Sequence, residues 1–420
     1  MNKEVFKTLI KEGQDELLDV KLYERPFVFE DNGRYVLVGI RQAGKSFLLY
    51  QRAKLYLKDG HDIKEMVYIN FDDERLLGMM SDDFDLILQS YATMYDLKPI
   101  LFFDEIQNIN GWEHFARRLA NQKYMVFITG SNAKMLSRDI ATTLGARYFD
   151  EKVFPYSFRE YLEAKDIILE DNWMYGRQKN IVQKEFSNYF QWGGFPELLM
   201  YHNKRHWLNG LYEKIILGDV IQRNSVKNEQ ALRLAVKRLA ENIKQPTSYN
   251  RLTNMIKSIG LSTNTSSIIS YIGFVKDACL MFTLDNYASK FVEKETVKKH
   301  YFTDNGLLNI FLTDASTSLL ENLCAIALYK RYGMDDEPGL FYYNKNIEID
   351  FYVPSEDLAV QASYSITDIS TRERETDALI DFNKVFPLKR AVIITYDEEE
   401  IIVQGNLRIE VIPIWRWLLM

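Results

Sequence analysis

Short apolar runs alternate with stretches of helical periodicity through the first third of the chain. Residues 35–38, 66–71, 100–103 and 124–128 are apolar enough to read as buried strands. Between them, residues 45–57, about 84–95 and 112–120 repeat apolar positions every three or four residues, as amphipathic helices do. A further strand is expected over 148–154. This alternation predicts an α/β fold, a parallel sheet with helices on both faces. Residues 1 to about 30 read as a short amphipathic helix and a connecting segment that ends in Arg25-Pro26. From 156 to about 223 the pattern is helical, interrupted at Gln191-Trp-Gly-Gly-Phe-Pro196. Residues 250–271 read as helix, glycine-containing turn, helix. The last third, from about His300, is a separate α/β unit with a helix from Leu319 and strands around 340–343, 348–353 and from 359.

The strand at 35–38 runs directly into Gly39-Ile40-Arg41-Gln42-Ala43-Gly44-Lys45-Ser46-Phe47, the G-x-x-x-x-G-K-S pattern of a phosphate-binding loop. The two glycines let the backbone curl so that its amides face a phosphate chain. Lys45 reaches the terminal phosphates, Ser46 offers a hydroxyl to magnesium, and the helix opening at Lys45 adds its positive end. The strand at 100–103 ends in two adjacent carboxylates, Asp104 and Glu105, at the edge where parallel sheets bind ligands. Asp104 is expected to hold magnesium, and Glu105 to polarise an attacking water. A helix cap after a core strand can produce the same two letters. The strand at 66–71, inserted between the loop and Asp104, resembles the additional-strand, catalytic-glutamate division of P-loop ATPases, which includes the AAA type. In such proteins a polar residue after the next strand senses the terminal phosphate. Ser131 and Asn132 hold that place, although turn residues after a strand have the same composition. Arg147, before the 148–154 strand, is a candidate finger toward a neighbouring subunit's phosphate or an ordinary surface arginine.

Between about 226 and 275 the charge changes sign: Lys227, Arg233, Lys237, Arg238, Lys244, Arg251 and Lys257 stand against Glu229 and Glu241. With the helix-turn-helix pattern, and Asn264, Thr265 and Ser267 opening its second helix, DNA is a possible partner. The whole chain has a net charge of -7, which excludes a protein that coats nucleic acid along its length but permits one basic face. Its two cysteines, Cys279 and Cys324, exclude a disulfide framework or a zinc cluster of thiolates. No apolar run reaches membrane-spanning length and the N-terminus lacks a signal pattern, so the expected location is cytoplasmic, with no membrane partner. In the last third, Glu321, Asp350 and Gln361-x-Ser363 follow the order of a restriction-endonuclease-like magnesium site. Glutamine and serine stand where a second acid and a lysine are needed, so that centre reads as degenerate.

The pieces Gly39-Ile-Arg-Gln-Ala-Gly-Lys-Ser46, Phe103-Asp-Glu-Ile-Gln107, Thr129-Gly-Ser-Asn132, Phe154-Pro-Tyr-Ser-Phe-Arg-Glu160, Gly193-Gly-Phe-Pro196, Tyr301-Phe-Thr-Asp-Asn-Gly306, Glu321-Asn-Leu323 and Glu348-Ile-Asp-Phe351 resemble, along the whole chain, a family of bacterial and archaeal predicted AAA-type ATPases. The resemblance implies ATP and magnesium as cofactors and ATP hydrolysis, over four segments. These are a P-loop core (1–155), a helical lid turning over the nucleotide (156–225), a winged-helix-like unit (226–295) and a restriction-endonuclease-like domain (296–420). The client is DNA or a protein, and a homo-oligomer is possible. Three readings follow: an ATPase with mechanical output, a nucleotide-gated binding switch with little turnover, and an ATP-driven DNA-processing nuclease.

Overall fold

The computed structural model describes residues 1–334 and 339–420. It divides into two compact units, Met1–Phe154 with Asp277–Cys279, and Pro155–Lys276 with Leu280–Met420. No helix among the described residues is long and apolar enough to cross a membrane.

The first unit contains α1 (Lys3–Asp19), β1 (Tyr35–Val38), α2 (Lys45–Lys58), β2 (Met66–Asn70), α3 (Asp85–Met94), β3 (Ile100–Asp104), α4 (Trp112–Asn121), β4 (Met125–Gly130), α5 (Arg138–Leu144) and β5 (Phe149–Lys152). The strands form a wholly parallel sheet in the order β2-β3-β4-β1-β5. Strands β1 and β3 are buried at every residue, which explains why they are apolar throughout instead of alternating. The edge strand β5 is more exposed and shorter than the apolar pattern suggests, covering Phe149–Lys152. The inserted strand lies at the opposite edge as β2, and α1 packs on it. A Cβ at Gly13 would come 2.4 Å from the Tyr68 carbonyl oxygen, so only glycine permits that approach. Phe6, Leu9 and Ile10 of α1 join the core of Val36, Val38, Leu101, Phe103 and Ile128.

The second unit continues with α6 (Phe158–Glu163), α7 (Arg177–Trp192), α8 (Lys204–Lys214), a π-helical segment Ile215–Gln222, α9 (Glu229–Glu241), β6 (Thr247–Ser248), α10 (Tyr249–Ser258), α11 (Thr265–Asp277), β7 (Met281–Asn286), α12 (Phe291–Thr296), β8 (Val297–Phe302), α13 (Asn305–Asn309) and α14 (Ser316–Tyr332). After these come β9 (Phe341–Asn344), β10 (Glu348–Val353), β11 (Leu358–Ala362), α15 (Ile369–Val385), β12 (Arg390–Thr395), β13 (Glu400–Gln404), β14 (Leu407–Pro413) and α16 (Ile414–Trp417). One mixed sheet runs through it in the order β13-β14-β12-β11-β10-β9-β7-β8-β6. It spans the stretch where the sequence suggests a boundary near 295. Here β7 and β8 form an antiparallel pair, and β6 adds antiparallel to β8.

Four motifs without an evident chemical role meet inside this unit. Asp304 accepts from the amides of Gly194 at 2.8 Å and Gly306 at 2.7 Å. Gly193 has φ 75°, and a Cβ there would meet the Asp304 carboxylate at 2.0 Å. The Tyr156 amide bonds to the Gly194 carbonyl, and Asn305 links Phe190 and Leu319 carbonyls to Asn322. Each polar group is buried and partnered, so these motifs serve as a structural knot.

Candidate functional site

The loop between β1 and α2 is shaped by close approach. Gly39 lies where a Cβ would stand 1.9 Å from the Val153 carbonyl oxygen, Gln42 has φ 61°, and Gly44 caps α2 at φ 94°. The curl buries Lys45, whose Nζ donates to the carbonyls of Gly39 at 3.0 Å and Ile40 at 3.1 Å. The N-terminal connecting segment braces this loop. Arg25 donates to the Ala43 carbonyl at 3.1 Å, while its own amide and carbonyl are clasped by the Gln51 side chain. The sequence offered no sign of that role.

Strand β3 delivers the paired carboxylates side by side. Asp104 hydrogen-bonds with Ser46 and accepts from Thr129 Oγ1 and, at 2.9 Å, from Tyr68. Burial, together with the Glu105 charge, raises its carboxyl above the ordinary range. Glu105 takes the left-handed conformation at φ 53°, unusual for a side-chain-bearing residue, and Thr129 Oγ1 secures its amide at 3.0 Å. Its Oε1 is 3.5 Å from Lys45 Nζ, and its Oε2 accepts from Gln107 at 2.5 Å. Burial disfavours the Glu105 charge, but Lys45, Gln107 and Arg41 outweigh it and hold the carboxyl at about 2. The group is therefore an ionised acceptor at neutral pH.

The structure brings Lys45, Ser46, Asp104, Glu105 and Ser131 together, because the ends of β1, β3 and β4 adjoin. Gln107 Nε2 also reaches Ser131 Oγ at 3.3 Å, bridging the sensor position to Glu105. Asn132 is committed differently: its Oδ1 caps the turn Ala133–Leu136 through the Lys134 amide at 3.0 Å. Arg147 folds back on the end of α5, donating to the carbonyls of Leu144 at 3.2 Å and Gly145 at 3.0 Å. Arg41 pairs with Asp72 at 3.3 Å, which places the acidic loop after β2 beside the phosphate loop. Sequence reasoning missed Gln107, Tyr68 and Thr129 as members of the site. Gln107 and Thr129 were signalled only by position near the ends of β3 and β4, and Tyr68, in the middle of β2, by nothing in the sequence.

Among the described residues no cluster of three or more His, Cys, Asp or Glu side chains gathers to hold an ion. The donors present, one serine hydroxyl and one carboxylate, are hard oxygens. That set fits magnesium, which takes few protein ligands and completes its shell with phosphate oxygens and water.

Residues 31–162 match the AAA domain family and residues 183–318 a domain of unknown function (DUF8612). An uncharacterized protein of Methanocaldococcus jannaschii is 30% identical over 394 residues, covering 91% of this chain and 87% of its own length. One from Haemophilus influenzae is 30% identical over 397 residues, covering 91% and 94%. Among solved structures, the Walker-type ATPase of Pyrococcus abyssi is similar over 74% of this chain and 95% of its own, at 12% identity and a TM-score of 0.43. The Orc1 protein of Aeropyrum pernix in complex with DNA covers 74% and 92%, at 12% identity and a TM-score of 0.31. With a G-x-x-x-x-G-K-S loop, an inserted β2 and adjoining Asp104 and Glu105, the chain belongs to a family of AAA-type P-loop proteins that carry a C-terminal domain of unknown function, a fold that implies ATP binding and hydrolysis.

Proposed function

We propose that the protein is a magnesium-dependent ATP hydrolase whose turnover drives a conformational change acting on a DNA or protein client. The observation that carries this reading is the ionised Glu105 held beside Lys45 and bridged through Gln107 to Ser131. A carboxylate so placed accepts a proton from water near the terminal phosphate, which a purely binding site does not need. Lys45 exchanges its bonds to the Gly39 and Ile40 carbonyls for phosphate oxygens, and the loop amides from Ile40 to Phe47 face the phosphate chain. Ser46 and Asp104 hold the magnesium, which when bound offsets phosphate charge. Ser131 orients the water or the terminal phosphate, through the link that Gln107 makes. Asn132 and Arg147 contribute only after giving up their present bonds, Arg147 to a neighbouring subunit in a homo-oligomer.

Phosphate release from ATP and magnesium, compared between the parent and Glu105→Gln, tests the reading. Turnover that the variant loses while still binding ATP supports it. Equal turnover in both sinks the Glu105 role and favours the nucleotide-gated switch.

For the client, the order α9, β6, α10, α11, β7, β8, with β6 against β8, supports a winged-helix-like segment. Its basic face is thinner than the sequence count suggests. Arg233 is spent on Glu213 and Glu229, and Arg238 on Glu241, while Lys227, Lys237, Arg251 and Lys257 stay exposed. The second helix, α11, exposes Ser266, Ile269 and Ser270, none of them cationic. A DNA client would thus be gripped by phosphates more than read at its bases. Affinity that falls steeply with salt identifies DNA, and a flat salt response points to a protein.

A further inference from the structure

The second unit buries a cation between two acids. Lys299, on β8, has no exposed surface; its Nζ donates to Glu321 Oε1 at 3.1 Å and to Asp350 Oδ1 at 3.0 Å. Tyr301 adds a bond to the same Glu321 oxygen at 2.8 Å, and the Ala362 amide donates to Asp350 Oδ2 at 3.0 Å. Glu321 and Asp350 also line a cavity of about 620 Å³. These are the carboxylates that the sequence aligns with a magnesium-dependent phosphodiester centre. The other two positions of that centre are occupied with structural bonds. Gln361 Oε1 accepts from the Asp350 amide at 2.8 Å and its Nε2 donates to the Glu348 carbonyl at 3.1 Å, so both ends pin β10. Ser363 bonds to the Ser365 carbonyl.

We propose that the Lys299 ammonium is a built-in replacement for the metal of this centre, making the second unit a metal-independent module with no phosphodiester cleavage of its own. A magnesium ion bonded to the inner oxygens of Glu321 and Asp350 would sit about 2.1 Å from each. The ammonium already contacts both oxygens, so ion and lysine would be forced together as like charges in a buried place. Lys299 cannot withdraw to water, because it is fully enclosed, with the Tyr342 ring 5.8 Å from its Nζ. The third acid that would strengthen a metal is Gln361, which brings no charge. The cation that the serine at 363 fails to supply is thus present, delivered from a strand 64 positions earlier and used to fill the metal's place.

The test uses the full chain without nucleotide and manganese as the probe ion, followed by electron paramagnetic resonance of free manganese and by thermal unfolding. The parent should bind no manganese that depends on Asp350, so parent and Asp350→Asn should titrate alike. Lys299→Met should unfold at a lower temperature and gain one manganese site, with added manganese raising its unfolding temperature. That gain should vanish in Lys299→Met combined with Asp350→Asn. Manganese bound by the parent and lost in Asp350→Asn would overturn the proposal and restore a working metal centre. A folded Lys299→Met that gains no manganese would overturn it also. If Lys299→Met does not fold, the comparison of the parent with Asp350→Asn still decides.

Discussion

Two buried lysines, one beside a single carboxylate and one between two, have opposite fates in this protein. Lys45 opens α2 and spends two of its bonds on backbone carbonyls of the preceding loop, with Glu105 at 3.5 Å. Lys299 lies on a strand and spends its bonds on two full carboxylates at 3.0 and 3.1 Å. Burial opposes the Lys299 charge, yet Glu321 and Asp350 more than offset it and raise its proton affinity above the ordinary lysine range. Neutral carbonyls are readily exchanged for phosphate oxygens, whereas a buried ion pair is not given up without leaving an uncompensated charge. The same residue types therefore make a site in one unit and a lock in the other, and the difference lies in what the ammonium touches.

The largest expected effect sharpens the catalytic side of that contrast. Glu105→Gln should cut phosphate release about 10²–10⁴-fold while leaving ATP affinity within a few-fold, measured by stopped phosphate assays and nucleotide titration. The structural side is tested by stability. Lys299→Met should lower unfolding free energy by about 3–5 kcal/mol, because two buried acids lose their partner. Lys45→Met should cost less than Lys299→Met, because Lys45 supports one carboxylate at 3.5 Å whereas Lys299 is hydrogen-bonded to two. Denaturant unfolding of both variants checks this, and equal losses would break the comparison.

A third prediction concerns acid. Burial, aided by the Lys276 charge, lowers the pKa of His300 in the second unit to about 3. The folded value lies below the unfolded one near 6.5, so its contribution to stability is complete above about pH 6.5 and is lost as the pH falls toward 3. Relative to His300→Leu, the parent should lose about 2 kcal/mol between pH 6.5 and 5, read from denaturant midpoints. A parallel pH dependence in the two proteins would contradict the assignment. The smallest effect belongs to Gln107. Gln107→Leu removes one charge-assisted hydrogen bond from Glu105, worth about 1.5 kcal/mol, so kcat should fall about tenfold with KM little changed. A change confined to KM would place Gln107 in binding instead of in positioning Glu105.

Much of the first unit was legible because its strands are buried on both faces and its loop chemistry is local. The spacing of Gly39, Gly44, Lys45 and Ser46 alone specifies the curl, and an apolar run ending in Asp104-Glu105 places both acids at the sheet's ligand-binding edge. The contributions of Gln107, Tyr68 and Arg25 were illegible, since each depends on which strand ends or segments adjoin. In the second unit Glu321, Asp350, Gln361 and Ser363 include no lysine, whereas the structure sets Lys299 of β8 against both acids, a juxtaposition no local pattern announces.

What the sequence determined by itself was therefore everything carried by neighbours along the chain: the parallel α/β pattern, the phosphate loop, the paired acids and the basic stretch. Tertiary structure alone decided which ammonium faces a replaceable partner and which is locked between acids. It also decided that Gly193-Gly194, Asp304 and Asn322 form one knot. The physical reason is that helix and strand periodicity act over a few residues. Charge pairing and close packing act through space, and in this fold they join positions that only the order of the strands brings within 3 Å or so of each other.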